Sequence, residues 1–243
     1  MILLVITIEF ILLLLLSSAL TKSLYNLLFV VFRVRPIAIT VITLLFFPGT
    51  VIHELAHLFV AEILGVRTGK LTLAPESIRS EEIQAGSVAI AKTGPIRRYI
   101  IGLAPVFIGI ASITILSYYF GRIAMNVKSQ WLSHTLGTDF SVYLFILIAY
   151  LLFAISNSMF SSPQDLKGFI PVTLTLGLII GAGYLSGIRF GLTGQALVIV
   201  TQVLNSIVSS LGYVLALNII LLLITKVLID LTGKLTHRRI IAR

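Results

Sequence analysis

The chain has 243 residues, of which 58% are hydrophobic and only 11% carry a formal charge, with a mean hydropathy of +1.08. A soluble domain of this size would leave much of that apolar surface facing water, so an ordinary cytosolic enzyme, a disordered chain and a secreted disulfide scaffold are all excluded. What remains is an integral membrane protein built as one domain over residues 1–243. The net charge of +9 then reads as membrane loops collecting Lys and Arg on the cytoplasmic side. The lipid bilayer is the expected partner and nucleic acid is not. The chain has no cysteine, which removes thiol nucleophiles and Cys-ligated zinc, so any metal site must use His, Asp or Glu.

Residues 2–20 form the first apolar run, about the length needed to cross ~30 Å of hydrocarbon. Glu9 lies within it. An acid in lipid is costly, but this close to the start of the run an interfacial or structural position is favoured over a functional one. Residues 21–35 carry Lys22, Arg33 and Arg35 and read as an interfacial, amphipathic segment. Residues 36–64 are apolar again and would reach ~40 Å as one helix. Pro48-Gly49 in their middle predicts a kink or a break.

Residues 66–99 differ in character. They are rich in charge and contain short β-like stretches, Lys70-Leu71-Thr72-Leu73 and Ser87-Val88-Ala89-Ile90, punctuated by Gly86, Gly94 and Pro95. A small β-hairpin or sheet associated with the membrane is expected here, between the second and third spans. Four further spans are predicted, over residues 100–120, 140–160, 169–187 and 197–229. The last is too long for one upright helix and contains Gln202, Asn205 and Ser206. The expected fold is an all-α polytopic membrane protein of about six transmembrane helices with this β insertion. Six spans place both termini on one side. The larger share of Lys and Arg, including Arg67, Lys70, Arg97, Arg98, Arg238 and Arg239, falls on that side, so both termini are expected in the cytoplasm. The plasma membrane of a prokaryote is the expected location.

The residues with chemistry are His53-Glu54-Leu55-Ala56-His57. On a helix, positions i and i+4 lie one above the other, so the two imidazoles can grip one metal ion while Glu54 stands close enough to take a proton from a water molecule there. Zinc suits such a ligand set. The plain alternative is a chance motif, or two histidines satisfying each other in a core. Three costly polar groups deep in an apolar run favour the metal, which offsets the cost of all three together.

Two imidazoles make a weak site, so a third ligand is needed. Glu62 lies ~140° around the helix from His57, and His134 and Asp139 fall in a loop expected on the opposite side of the membrane. Asp165 remains, at the end of residues 156–165 and on the same side as the end of the His-bearing span; its alternative role is an ordinary helix N-cap. Asn157, in the last turn of the same span, is either a substrate-binding or oxyanion-holding amide or a packing contact with a neighbouring helix.

This arrangement resembles the site-2 protease family of intramembrane zinc metalloproteases. The resemblance rests on His53-Glu54-Leu55-Ala56-His57, on a later span opening with Gly102-Leu103-Ala104-Pro105, and on Asn157 followed eight residues on by Asp165. The family pairs its H-E-x-x-H helix with a later helix carrying an N-x-x-P-x-x-x-L-D-G-type motif. Here Gln164-Asp165-Leu166 stands in place of Leu-Asp-Gly, and Phe160 in place of the proline. The resemblance covers roughly residues 37–170, the family's three-helix core. It implies zinc held by His53, His57 and Asp165, with Glu54 as catalytic base, and peptide-bond hydrolysis in a membrane protein or peptide substrate. An extended substrate would add to the edge of the 70–93 strands. A non-proteolytic metal-binding scaffold or transporter is the alternative; it predicts polar residues spread along several spans.

Overall fold

The computed structural model describes residues 2–72, 78–79, 82–83, 87–91, 93–132, 140–159, 178, 182, 185–186 and 194–235. Among them are five helices: α1 (Ile2–Phe32), α2 (Arg35–Ile63), α3 (Pro95–Leu132), α4 (Phe140–Ser158) and α5 (Gly194–Leu235). Each contains a stretch long and apolar enough to cross a membrane, so the chain is an integral membrane protein with five such helices among the described residues. The sixth expected span, residues 169–187, falls largely outside them. At 1.5 Å per residue, the 38 residues of α3 extend about 57 Å and the 42 of α5 about 63 Å.

The helices interlock in two apolar clusters. Phe10 and Leu13 of α1 share one with Val106 and Ile113 of α3, Leu152 of α4 and Val214 of α5. Leu20 of α1 shares the other with Ile42 and Phe46 of α2 and with Phe153 and Ala154 of α4. The first and last helices run parallel. Glu9, half-buried, sits over Gly212, and Ser23 Oγ lies 3.0 Å from Thr225 Oγ1 fourteen residues further along α1. Alternating spans bring the first and last helix parallel only when their number is odd. This pairing therefore departs from the expected six-span alternation and sets Ile2 and Leu235 at opposite ends of the bundle.

α2 does not break at Pro48; it is helical throughout from Arg35 to Ile63. Carbonyl groups just before the proline are taken up from the side. The Tyr150 hydroxyl donates to the Leu45 carbonyl (3.1 Å) and Thr50 Oγ1 to that of Phe46 (3.2 Å), while the Ser158 hydroxyl, which donates to the Ala154 carbonyl (2.8 Å), lies 3.4 Å from the Phe46 carbonyl. The carbonyl that Pro48 itself leaves without a helical donor is that of Leu44, four residues back; the Tyr150 bond instead ties α4 to the α2 backbone beside the proline.

α2 ends in a glycine-capped turn. Gly65, at φ +67°, donates its N–H to the Glu62 carbonyl (3.0 Å), and Val66 donates to that of Ala61 (2.9 Å). These are the two bonds of a Schellman motif, which needs a left-handed residue and so favours glycine. The turn leads directly into β1 (Thr68–Thr72), which pairs antiparallel with β4 (Ser87–Ile90). A shorter pair, β2 (Ile78–Arg79) and β3 (Glu82–Ile83), lies between them in sequence. The expected β insertion between the second and third helices is present as these two two-stranded sheets.

Candidate functional site

His53, Glu54 and His57 lie on α2 and are buried, at 4%, 6% and 7% exposure. The two imidazoles meet edge to face, with ring centroids 4.9 Å apart and planes 82° to one another, as one helical turn between them requires. His57 Nδ1 lies 2.8 Å from the carbonyl oxygen of Ile101. A carbonyl can only accept, so Nδ1 donates here, and the ring is oriented by this bond as the outer hydrogen bond of a metal-ligating histidine orients its ring.

Local folding places that carbonyl. The glycine turn at Gly65 returns Val66 against Ala61, and both pack with Ile101, 1% exposed, in a small cluster. The residue that closes the end of α2 thus holds the first turns of α3 against it. Leu103 and Ala104, next along α3, are also buried.

Below this point α2, α3 and α4 meet along a crevice too tightly filled to admit a water molecule, lined by Gly49, Ile52, His53, Pro105, Gly109, Ile155 and Met159. Two glycines allow the helices to close in. A Cβ on Gly49 would overlap the Ala154 carbonyl and Ser158 Oγ, and one on Gly109 would overlap the Met159 side chain.

Asp165, the expected third ligand, lies outside the described residues, as do His134 and Asp139. Met159, six residues before Asp165, lines the same crevice as His53. Glu62 is exposed at the end of α2. Among the described residues, no cluster of three His, Asp or Glu side chains is grouped to hold a metal. The donors present, two imidazoles one turn apart with one ring oriented by a backbone carbonyl, are of a kind zinc accepts.

Asn157 turns away from the crevice. Ile155 and Met159, one turn apart, face α2 and α3, whereas the Asn157 amide donates to Asn218 Oδ1 on α5 (3.0 Å) and to the Phe153 carbonyl (2.8 Å). Ser17 Oγ on α1 donates to the Asn157 carbonyl (3.2 Å). Helix packing, one of its two readings, describes these contacts: the NH2 group is engaged at the junction of α1, α4 and α5, and Oδ1 is buried with no hydrogen-bond partner among the described residues. The Ile101 carbonyl, Met159, Gly109 and Asn218 had no part in the sequence reading. A backbone acceptor carries no residue signature, and a glycine or methionine in an apolar run has the look of ordinary packing.

No family model, no curated protein and no solved structure matches this chain. The resemblance to site-2 proteases therefore stands on the motif residues and their surroundings alone.

Proposed function

We propose that the protein is an intramembrane zinc metalloprotease that hydrolyses peptide bonds of membrane-embedded or membrane-associated substrates. The observation that carries this reading is the buried pair His53 and His57, set edge to face with His57 oriented by the Ile101 carbonyl and Glu54 buried beside it. Zinc bound there would polarise a scissile carbonyl and bring a water pKa down to ~7. His53 and His57 would hold it through ring nitrogens. Asp165 would be the third ligand; the six residues from Met159 can span up to ~20 Å. Glu54 takes the proton from the attacking water and hands it to the leaving amine. The enclosing helices keep bulk water and other nucleophiles away. An extended substrate adds to an edge of the β1–β4 sheet. The His-bearing end of α2, with Arg67, Lys70, Arg97 and Arg98 nearby in sequence, faces the cytoplasm.

Purified protein should carry about one zinc per chain. His53→Ala and Asp165→Ala should lose it, and Glu54→Gln should keep it while cleavage of a membrane-spanning peptide falls at least ~100-fold. Undiminished cleavage by Glu54→Gln overturns the reading. The alternative, a metal-binding scaffold or transporter, draws on the buried polar groups Ser17, Asn157, Asn218 and Thr225, which lie on α1, α4 and α5 away from the histidines. It predicts bound metal with no cleavage by wild type.

A further inference from the structure

The crevice beside His53 has walls that differ in how far they can yield. On one side Gly49 brings the α2 backbone against the Ala154 carbonyl, so two helix backbones touch and there is no side chain to move. Ile52 and Ile155 are β-branched and stiff at χ1, and Pro105 is a ring. The remaining wall is Met159. A Cβ on Gly109 would lie 2.5 Å from Met159 Cγ, 2.6 Å from Sδ and 2.9 Å from Cε, so the methionine lies flat along bare α3 backbone. It is 3% exposed, and its N–H makes the closing bond of α4, to the Ile155 carbonyl (3.1 Å). An unbranched thioether at a helix end can swing through three soft torsions without breaking a helical hydrogen bond.

We propose that Met159 is the displaceable filler of an apolar side-chain subsite beside His53, and that it decides which substrate residue is accepted next to the scissile bond. The inference rests on the protease reading of that site. The class it selects follows from the lining. A guest side chain entering here exchanges one set of dispersion contacts for another, so an aliphatic residue no larger than methionine replaces Met159 without penalty. An aromatic ring exceeds the space the methionine vacates, and a charged group would find no partner in a lining whose one polar side chain is His53.

The test uses full-length protein loaded with zinc in detergent micelles. The probes are transmembrane peptides identical except at the two residues flanking the cleaved bond, each set in turn to Ala, Leu, Phe or Lys. Mass spectrometry reads the cleavage rates. Wild type should cut the best Ala or Leu probe at least tenfold faster than the Phe and Lys probes. Met159→Ala should raise the Phe-to-Leu rate ratio at least tenfold. Gly109→Ala, which pushes Met159 into the crevice, should shift preference at least tenfold from Leu towards Ala. Met159→Leu, close in volume, should keep the wild-type order. Ratios that stay within twofold of wild type in both Met159→Ala and Gly109→Ala, with zinc content intact, overturn the inference and leave the protease reading standing. Should Met159→Ala fail to fold, the Gly109→Ala ratio alone decides. Zinc-loaded wild type that cuts no probe overturns both.

Discussion

At Gly49 the α2 backbone rests directly on α4, and any added carbon meets the Ala154 carbonyl. A carbonyl in a helix has nowhere to retreat, so Gly49→Ala must part the two helices. The expected loss is about 1–3 kcal/mol, within the range for overpacked cores, seen as a lower midpoint of thermal unfolding in detergent. Gly121, which has open space where a Cβ would stand, serves as the control: Gly121→Ala should be neutral or slightly stabilising, by about 0.5–1 kcal/mol, through helix propensity. At this scale the sequence was a good guide wherever geometry is local. His53 and His57 share a face because a helix repeats every 3.6 residues, whatever surrounds it. Their orienting partner, the Ile101 carbonyl, lies forty-four residues beyond His57 and is a backbone atom, so no side-chain pattern betrays it.

The elements were legible in kind and less so in detail. The β insertion was expected at Lys70–Leu73 and Ser87–Ile90, and the strands run Thr68–Thr72 and Ser87–Ile90. The first begins earlier because the turn at Gly65 turns the chain straight out of α2. Gly65→Ala would force an L side chain to φ +67°, at a cost of about 1–2 kcal/mol. It should loosen Val66 from Ile101 and weaken zinc binding through the His57–Ile101 bond, which a competitive chelator titration measures. At Pro48, where a kink or a break was expected, the helix does not break. There α4 packs on the α2 backbone, with the Tyr150 hydroxyl donating to the Leu45 carbonyl.

Across the whole molecule, helix pairing was the part the sequence concealed. A helix in lipid is apolar on every face, so hydrophobic periodicity cannot tell its buried stripe from its exposed one. The α1–α5 pairing depends on scattered polar residues, Ser23 with Thr225 and Glu9 over Gly212, and on the Asn157–Asn218 contact that joins α5 to α4. A double-mutant cycle of Asn157→Ala and Asn218→Ala should give a coupling of about 0.6–1.7 kcal/mol, the range of interhelical hydrogen bonds in membranes, read by unfolding in detergent. The parallel pairing makes a topological prediction as well. Because the chain lacks cysteine, single replacements Ile2→Cys and Gly233→Cys report without background. In oriented vesicles an impermeant thiol reagent should reach them from opposite sides; labelling from one side would restore an even number of spans.

The reach of α3 and α5, about 57 and 63 Å at 1.5 Å per residue, is roughly twice the ~30 Å hydrocarbon thickness. Rods that outstrip their solvent lean over or project beyond it, and mismatch costs fractions of a kcal/mol for each ångström. Acyl-chain length thus becomes a mechanical input: a thicker bilayer stands the bundle upright and a thinner one lays it down, which moves the two imidazoles towards or away from the headgroups without altering a single contact between them.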